Sequence, residues 1–497
     1  MAQALERLAA LLWSWPLLVL VLGTGIYLTV RLRFLPIRRL GRAVALSVRP
    51  GTGSGISPFA SLCTMLSATV GTGNIVGVAS ALALGGPGAL FWMELSALTG
   101  LAVKYAEGYL AVRWRYTEPD GTHWGGPFAY LSLGLGRSGR GLARAFALFG
   151  ALAGLCGVGT LVQIGSVTDA LRYCLARSGR QLWMLSGLGR PIPLAAAILG
   201  LIMTLAAGAI IAGGIRRISG VSTLLVPVMG GLYALCCMWI VLRHLGALPG
   251  ALRAVWQGAF GLRPAGCGIF AAMQAGISRG VFSNETGLGT SPIACAASSA
   301  DDPQKQGCVN MAGTVFDTFL ICTLTGLAIL VSGADPARAG LAATMEAFAL
   351  GLPLPPGLSR GLVFVCLALF AFTTAVGWSY YGLSCLRCFT SRGRGLYLGI
   401  YVLTMGLAPY LPVGSLWQAA SVCNALMAIP NLIGILLLSP VLDGHDIMKK
   451  NPAHAGKESQ YGDPLSRQAD FGVRQAPGRG IDRRARRPAG VAADGFR

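Results

Sequence analysis

Charged residues are scarce in this sequence. Asp, Glu, Lys and Arg together make up 12% of its 497 residues, whereas 54% of the residues are hydrophobic. A soluble domain needs more charge than this to cover its surface. The shortage therefore excludes an ordinary soluble globular protein, although the length alone would suggest a few soluble domains.

Histidine is rare as well, and the cysteines form no motif. The 13 cysteines lie mostly in or beside apolar segments, without the spacing of a zinc site or a disulfide framework. An intramembrane enzyme would need a catalytic set at membrane depth, and the sequence has no HExxH or GxSxG pattern. The four histidines all fall in predicted loops or in the tail: His123, His244, His445 and His454. We therefore expect neither an enzyme nor an organic cofactor.

Long apolar runs are abundant instead, and many reach the ~20 residues that cross a bilayer as a helix. They lack the polar stripe of a buried core helix. The first run also lacks the n-region and cleavage site of a signal peptide, so we expect it to be retained. The runs predict about eleven transmembrane helices. These spans are 10–30, 58–83, 88–112, 143–173, 192–213, 220–242, 266–297, 309–332, 360–389, 395–411 and 416–440.

The net charge of +21 comes from basic residues in the loops and the tail. We interpret it as a topology signal and an attraction to anionic lipid, since no nucleic-acid-binding motif is present. Six arginines follow the first span, which predicts a cytoplasmic loop and an N-terminus outside. The loops at 177–190 and 253–263 also carry arginines, although this topology places them outside. Residues 441–497 are polar and basic, which predicts a disordered cytoplasmic tail after a transmembrane transporter domain at 1–440.

Two spans carry residues that should interrupt a helix. The segment 67–77 has three glycines beside Thr and Asn, and each glycine costs roughly 1 kcal/mol relative to alanine in a helix. The segment 276–289 places Arg279 and Glu285 between apolar flanks, where the two charges could pair. A polar re-entrant loop is the alternative for this second segment. Unwound backbone at this depth is tolerated where it lines a cavity, in which free N–H groups suit a carboxylate and free carbonyls a cation.

The two interruptions lie in the second and seventh spans, about five spans apart. Interrupted helices at matching positions of two halves are typical of inverted-repeat transporters and indicate the binding site. If the first helix is an addition, each interruption falls in the first helix of a five-helix repeat. The hydropathy pattern thus predicts an all-α integral membrane protein with two inverted repeats.

Several blocks of the chain resemble the alanine or glycine:cation symporter family, also called sodium:alanine symporters. They include ATVGTGNIVGVASALALGGPGALFW from Ala68, SRGVFSNETGLGTSPIA from Ser278, FTTAVGWSYYG from Phe372 and MAIPNL from Met427. The blocks keep their order from about residue 10 to 440. The resemblance implies a leucine-transporter-like fold with one extra N-terminal helix. It also implies uptake of alanine, glycine or a similarly small amino acid with Na⁺, less often H⁺, across a bacterial inner membrane.

The interrupted helices and the resemblance suggest a substrate site. Our candidates are the unwound backbone around Thr72 and Gly73, the side chains of Asn74 and Gln163, and Trp378 as a roof that excludes larger substrates. Each has a structural alternative: Asn74 could only cap the restarted helix, Gln163 could bind a neighbouring helix, and Trp378 could pack at the interface.

Sodium prefers hard oxygen ligands such as hydroxyls and carbonyls. The fold implied by the resemblance brings Thr373 and Thr374 beside the carbonyls near Thr69, Val70 and Gly73, although threonines also bond their own helix backbone. Three buried charges remain. Asp317 could tune ion coupling or pair with Arg279, and Lys104 could pair with Glu107 as a structural element.

The chain departs from the family where Thr160 and Gly165 replace asparagines that relatives usually carry. Thr286 and Cys295 likewise stand where relatives commonly have Ala and His. The first two departures leave open a transporter-derived sensor or an H⁺-coupled carrier of a different small amino acid. A channel would share the hydropathy and would be recognised by fast, uncoupled flux.

Overall fold

The structure is a computed structural model of the chain. It describes residues 2–47, 56–118, 122–176, 183–187, 190–261, 268–338, 340–390 and 392–442. The predicted tail lies almost entirely outside these residues, as do His445 and His454.

Helices account for most of the described chain. In chain order they are α1 (Ala2–Leu12), α2 (Trp15–Arg31), α3 (Leu35–Arg38), α4 (Leu40–Ser47), α5 (Pro58–Thr69), α6 (Val78–Gly85), α7 (Gly88–Arg113), α8 (Pro127–Gly134), α9 (Arg140–Cys156), α10 (Leu161–Ala176), α11 (Leu194–Ile211), α12 (Gly214–Arg243), α13 (Leu248–Phe260), α14 (Ile269–Asn284), α15 (Ser291–Ala296), α16 (Pro303–Thr314), α17 (Thr323–Val331), α18 (Leu341–Gly351), α19 (Pro356–Leu386), α20 (Arg394–Leu407) and α21 (Val413–Leu438).

Shorter elements complete the description. Two π-helical segments, Gly73–Gly77 and Val315–Cys322, precede α6 and α17, and 3₁₀ turns occupy Leu245–Ala247, Ala408–Tyr410 and Ser439–Leu442. The strands form two antiparallel hairpins in loops. They are β1 (Tyr116–Thr117) with β2 (His123–Trp124), and β3 (Met184–Gly187) with β4 (Arg190–Pro193).

Seven helical segments of the described chain are long and apolar enough to cross a membrane, and their mean hydropathy is between 1.9 and 2.5. An eighth span consists of α5 and the helix at Gly73–Gly85, which meet at a bend of 52°. The chain is therefore a multi-pass, all-α membrane protein. Every predicted span coincides with a helix or a broken helix. The helices at the predicted spans 88–112, 266–297 and 395–411 are not among these eight.

The polar helix α7 is largely buried in the bundle. It packs against α2, α14 and α16, and Lys104 and Glu107 on it are at most 2% exposed. Charged groups in a membrane protein are tolerated where they face the protein interior instead of lipid. The low hydropathy of this helix thus follows from its central position.

The predicted span 143–173 lies within the apolar segment Arg140–Ala176, which the structure divides into α9 and α10 at residues 157–160. Side chains bind the carbonyls that the break releases. Thr160 Oγ1 donates to Leu155 O at 2.6 Å, and Gln163 Nε2 donates to Val158 O at 3.0 Å. Gly159 permits close packing here, since a Cβ at this position would lie 2.8 Å from Cβ of Trp378.

The two predicted interruptions are present and face each other across the bundle. The first separates α5 from α6, and the second separates α14 from α15. α14 packs against α6 and the preceding π-helical segment, and a Cβ at Gly73 would lie 3.2 Å from Cα of Ser283. This is the arrangement that the leucine-transporter-like fold implied, with one interrupted helix from each repeat at the centre.

Candidate substrate and ion site

The first interruption leaves a short stretch of unwound backbone after Thr69. Val70 is extended, with φ −74° and ψ 92°, before the π-helical segment resumes the helix. Asn74 Oδ1 accepts a hydrogen bond from the N–H of Gly71 at 2.9 Å. Asn74 therefore binds an N–H of the unwound backbone before the restarted helix, and its amide nitrogen remains for other partners.

Gln163 is directed at this unwound backbone. Its Oε1 accepts from the N–H of Thr72 at 3.4 Å, while its Nε2 holds Val158 O beside the break between α9 and α10. The structure thus brings Gln163 and Thr72 together as predicted. The hydroxyl of Thr72 is fully buried and has no hydrogen-bond partner in the described chain, so it offers an unused polar contact in the site.

Thr374 on α19 reaches the same break from another side. Its Oγ1 donates to Val70 O at 3.4 Å, and a Cβ at Gly71 would lie only 2.5 Å from that hydroxyl. Thr373 is different, because its hydroxyl lies near carbonyls of its own helix and Met229 Sδ. Of the two threonines, Thr374 alone has a described contact with the carbonyls of the break.

The carboxylate of Asp317 joins the two interrupted helices. Its Oδ1 accepts from Asn74 Nδ2 at 2.7 Å, and its Oδ2 accepts from Ser283 Oγ at 3.0 Å and Thr318 Oγ1 at 2.9 Å. Asp317 is 1% exposed, and all three of these donors are neutral. The site therefore contains a buried negative charge that has no basic side chain among its described hydrogen-bond partners.

A second buried carboxylate ends α14. Glu285 has φ 54°, a left-handed conformation that costs a non-glycine residue roughly 1–2 kcal/mol. Its Oε1 accepts from Trp378 Nε1 at 2.9 Å, and its Oε2 accepts from Thr290 Oγ1. Trp378, predicted as a roof over the substrate, is thus fully buried and fixes the chain where the second helix unwinds.

Lys104 and Glu107 both support the segment after α14, in agreement with the structural role expected for them. Lys104 Nζ donates to Ser291 Oγ at 3.0 Å. Glu107 Oε1 accepts from the N–H of Gly289 at 3.1 Å and from Asn431 Nδ2 at 2.8 Å. Side chains three or four residues apart on a helix can pair with each other. The polar groups of the unwound segment have lost their helical partners, so they need these hydrogen bonds more.

The predicted ion pairs of Arg279 are wrong. Asp317 and Glu285 are occupied by the partners described above, and the guanidinium of Arg279 lies 5.3 Å from the ring centre of Trp417. Arg279 lies about one turn of α14 before the interruption. Its side chain is therefore displaced from the interruption towards the end of the bundle at which α14 begins.

An open cavity of about 700 Å³ occupies that end of the bundle. Its lining includes Leu84 near the end of α6, Ala176 at the end of α10, and Val413 at the start of α21. Arg279 and Trp417 also line it. By the predicted topology these helix ends lie on the external side, so we name this space the outer cavity.

Comparison with known proteins shows the family of this chain. The model of the sodium:alanine symporter family matches residues 1–456. The chain belongs to this family. Its members are transporters, so the expectation that the chain is not an enzyme is confirmed, as is the family resemblance.

Relatives match over nearly their full length. The sodium/alanine symporter AgcS of Methanococcus maripaludis is 41% identical over 447 residues, which cover 86% of this chain and 93% of the relative. The probable sodium/glutamine symporter GlnT of Bacillus subtilis is 35% identical over 459 residues, with 89% and 90% covered. The structure of MhsT in complex with L-phenylalanine has a TM-score of 0.48 at 15% identity and covers 78% of this chain and 99% of its own.

Phe282 lies beside both the first interruption and Trp417, which lines the outer cavity. Its ring lies 4.6 Å from that of Trp417, and its Cδ1 would be 3.5 Å from a Cβ at Gly73. No separate sequence signal marks Phe282, since one aromatic residue in an apolar span is ordinary. The two rings thus connect the first interruption with the lining of the cavity, to which Trp417 belongs.

Tyr401 should stabilise the break between α9 and α10. Its hydroxyl lies 2.8 Å from Gly159 O and 2.6 Å from Ala375 O. Tyr401→Phe leaves these buried carbonyls without that donor, and we expect a loss of about 1–3 kcal/mol in stability. Thermal unfolding of the purified protein in detergent would measure this. Tyr397→Phe, which affects a carbonyl within α9, is the control, and an equal or larger loss there would contradict a special role for the break.

Proposed function

We propose that the chain is a secondary active symporter that imports a small neutral amino acid, alanine or glycine, together with Na⁺ by alternating access. The arrangement of Asp317 carries the proposal, because one buried carboxylate holds Asn74 and Ser283 of the two interrupted helices. A buried carboxylate whose described hydrogen-bond donors are all neutral favours a bound cation, and the Thr72 hydroxyl beside the unwound backbone is a donor left for a substrate carboxylate.

The tight packing at the first interruption supports a small substrate. A Cβ at Gly71 would lie 2.5 Å from Thr374 Oγ1, and one at Gly73 would lie 3.2 Å from Ser283 Cα. Alanine or glycine fits such a site more readily than a long side chain does. The relative AgcS is a sodium/alanine symporter, in agreement with alanine, whereas GlnT, a probable sodium/glutamine symporter, makes glutamine the second candidate.

For the ion, we propose a site formed by Thr374 Oγ1 and carbonyls near Val70, with Thr69 and Gly73 as further candidates. The observation that supports it is the 3.4 Å contact between Thr374 and Val70 O. H⁺ is the competing coupling ion, because a buried carboxylate such as Asp317 could carry a proton instead. We propose the cytoplasmic membrane as the location, with the N-terminus outside and the outer cavity facing the exterior.

Uptake of labelled alanine, glycine and glutamine into proteoliposomes tests the proposal, with an inward Na⁺ gradient, an inward H⁺ gradient or neither. We expect Na⁺-dependent accumulation of alanine or glycine. Asn74→Ala and Trp378→Ala, which remove side chains that hold the two interruptions, should reduce it by about tenfold. Accumulation of glutamine alone would make glutamine the substrate in place of alanine or glycine. Accumulation under an H⁺ gradient alone would make H⁺ the coupling ion in place of Na⁺.

A transporter-derived sensor is the second candidate, because Thr160 and Gly165 depart from the family beside Gln163. Saturable alanine binding to the folded protein without flux under any gradient would favour this sensor. Binding of labelled alanine in detergent, measured beside the uptake assay, distinguishes the two functions.

A further inference from the structure

The six arginines that follow α2 have no carboxylate near them in the sequence, because the chain has no Asp or Glu between Glu6 and Glu94. Three of these arginines, Arg33, Arg38 and Arg42, are exposed, and the described chain contains no ion pair or side-chain hydrogen bond for any of them. Their positive charges are therefore not neutralised by a described part of the protein.

The exposed arginines lie on one face of an amphipathic segment that consists of α3 and α4. The helical path continues through their junction, since the N–H of Arg39 bonds to Leu35 O and that of Ala43 bonds to Arg39 O. Leu35 and Ala43 are buried, and α4 packs against α5 and α16. Residues four apart lie on the same side of a helix, so Arg38 and Arg42 lie together on the opposite, exposed side.

Large apolar side chains are exposed beside these arginines. Phe34 is 52% exposed and Ile37 is 42% exposed. They continue the exposed apolar face of α2, on which Ile26 is 54% and Val30 is 59% exposed. Because α2 belongs to a segment that is long and apolar enough to cross the membrane, this face contacts lipid tails, and Phe34 and Ile37 extend it to the level of the head groups.

The turn between α2 and α3 holds a guanidinium and an aromatic ring at the end of the span. Arg33 and Phe34 both have left-handed backbone, with φ 52° and 59°, which non-glycine residues adopt only at an energetic cost. Strained backbone of this kind is concentrated at binding sites and switch regions. The strain here brings a charged and an apolar side chain to the membrane surface together.

We propose that this surface binds the head group of an anionic phospholipid in the leaflet that it faces, which is the cytoplasmic leaflet by the predicted topology. Its contact residues are Arg33, Phe34, Ile37, Arg38 and Arg42. Guanidinium groups bind phosphate through paired N–H donors, and each basic side chain near a membrane surface adds to the attraction of anionic lipid. A soluble anion or an acidic peptide would use the charge but would leave Phe34 and Ile37 exposed, whereas a lipid covers both.

The bound lipid would restrain the first interruption. Arg42 belongs to α4, α4 packs against α5, and α5 ends at Thr69, where the backbone unwinds. A head group held by α3 and α4 therefore braces the half-helix that leads to the candidate substrate and ion site. Binding of the lipid needs no amino acid, so this inference goes beyond the proposed function.

Calorimetric titration of the purified full chain in detergent with dioctanoyl phosphatidylglycerol tests the inference. The wild type should bind this lipid, whereas dioctanoyl phosphatidylcholine, which has the same tails and no net charge, should bind much more weakly. Changing Arg33, Arg38 and Arg42 together to glutamine should weaken binding of phosphatidylglycerol by about 100-fold. Phe34→Gly removes the ring and suits the left-handed turn, so it should weaken binding by about tenfold without unfolding the turn.

The matched control changes three other exposed arginines on the same predicted side of the membrane to glutamine: Arg216, Arg392 and Arg394. It removes the same charge and should bind the lipid as the wild type does. An equal loss in the two triple variants would overturn the site, because net charge alone would then attract the lipid. Equal binding of phosphatidylcholine and phosphatidylglycerol would overturn it too, as would binding of glycerol phosphate as tight as that of the lipid. A wild type that binds phosphatidylglycerol but accumulates no alanine or glycine would remove the proposed function and leave this inference in place.

Discussion

Replacing Asp317 by asparagine should reduce cation-driven uptake by about 100-fold in a protein that still folds. Asparagine has the same shape, and the hydroxyls of Ser283 and Thr318 can rotate to accept from its amide, so the bonds between the interrupted helices persist. The change removes only the negative charge. Hydrogen bonds to charged groups contribute about 1.5–3 kcal/mol, which corresponds to roughly 10- to 150-fold in affinity for the cation.

The experiment compares Asp317→Asn with Asp317→Ala and with Asp335→Asn at the surface. Asp317→Ala leaves three buried donors without their acceptor and should also lower the melting temperature, whereas Asp335 is exposed and should be neutral. Initial uptake rates across a series of Na⁺ concentrations give the apparent affinity for the ion. A normal Na⁺ dependence in a folded Asp317→Asn protein would show that the charge has no part in coupling.

The positions of the two interruptions were predictable from sequence because glycine and asparagine are costly inside a helix. The break at residues 157–160 has glycines as well, but the apolar run continues through it, and glycines are common in membrane helices. Gln163 and Thr160 bind the released carbonyls from the same chain segment, but the donor that Tyr401 adds from α20 is a tertiary contact. No local pattern contains that information.

The sequence predicted which backbone segment the candidate site is built on, but it predicted fewer of the side-chain contacts there. Asn74, Gln163 and Thr374 converge on the first interruption, as their positions in the predicted fold indicated. The opposite charges of Arg279, Asp317 and Glu285 did not predict which groups these side chains contact. The expected partners of Arg279 bind neutral donors instead, because unwound helix ends offer hydroxyls and amides at short range. Ser283 was missed, although its place in an interrupted segment was a usable signal.

Gly71 lies where the candidate substrate and sodium contacts meet. Its N–H is held by Asn74, and a Cβ there would lie 2.5 Å from Thr374 Oγ1 and 3.4 Å from Gln163 Oε1. The first distance is shorter than side chains tolerate, so either Thr374 or the unwound backbone must move. A movement of several tenths of an ångström is enough to disturb the ligands of a small cation.

We therefore expect Gly71→Ala to weaken Na⁺ binding and reduce uptake by about 100-fold, because ion contacts worth a few kcal/mol depend on this geometry. Gly77→Ala is the matched control: it lies in the same segment, its added Cβ would meet nothing within 4 Å, and its helical backbone should gain up to about 1 kcal/mol in stability. Uptake at low and saturating Na⁺ separates lost affinity from lost turnover. Equal Na⁺ dependence in the two variants would place the ion away from Thr374 and Val70, whereas a defect specific to Gly71→Ala that high Na⁺ partly rescues would link the first interruption to the coupling ion.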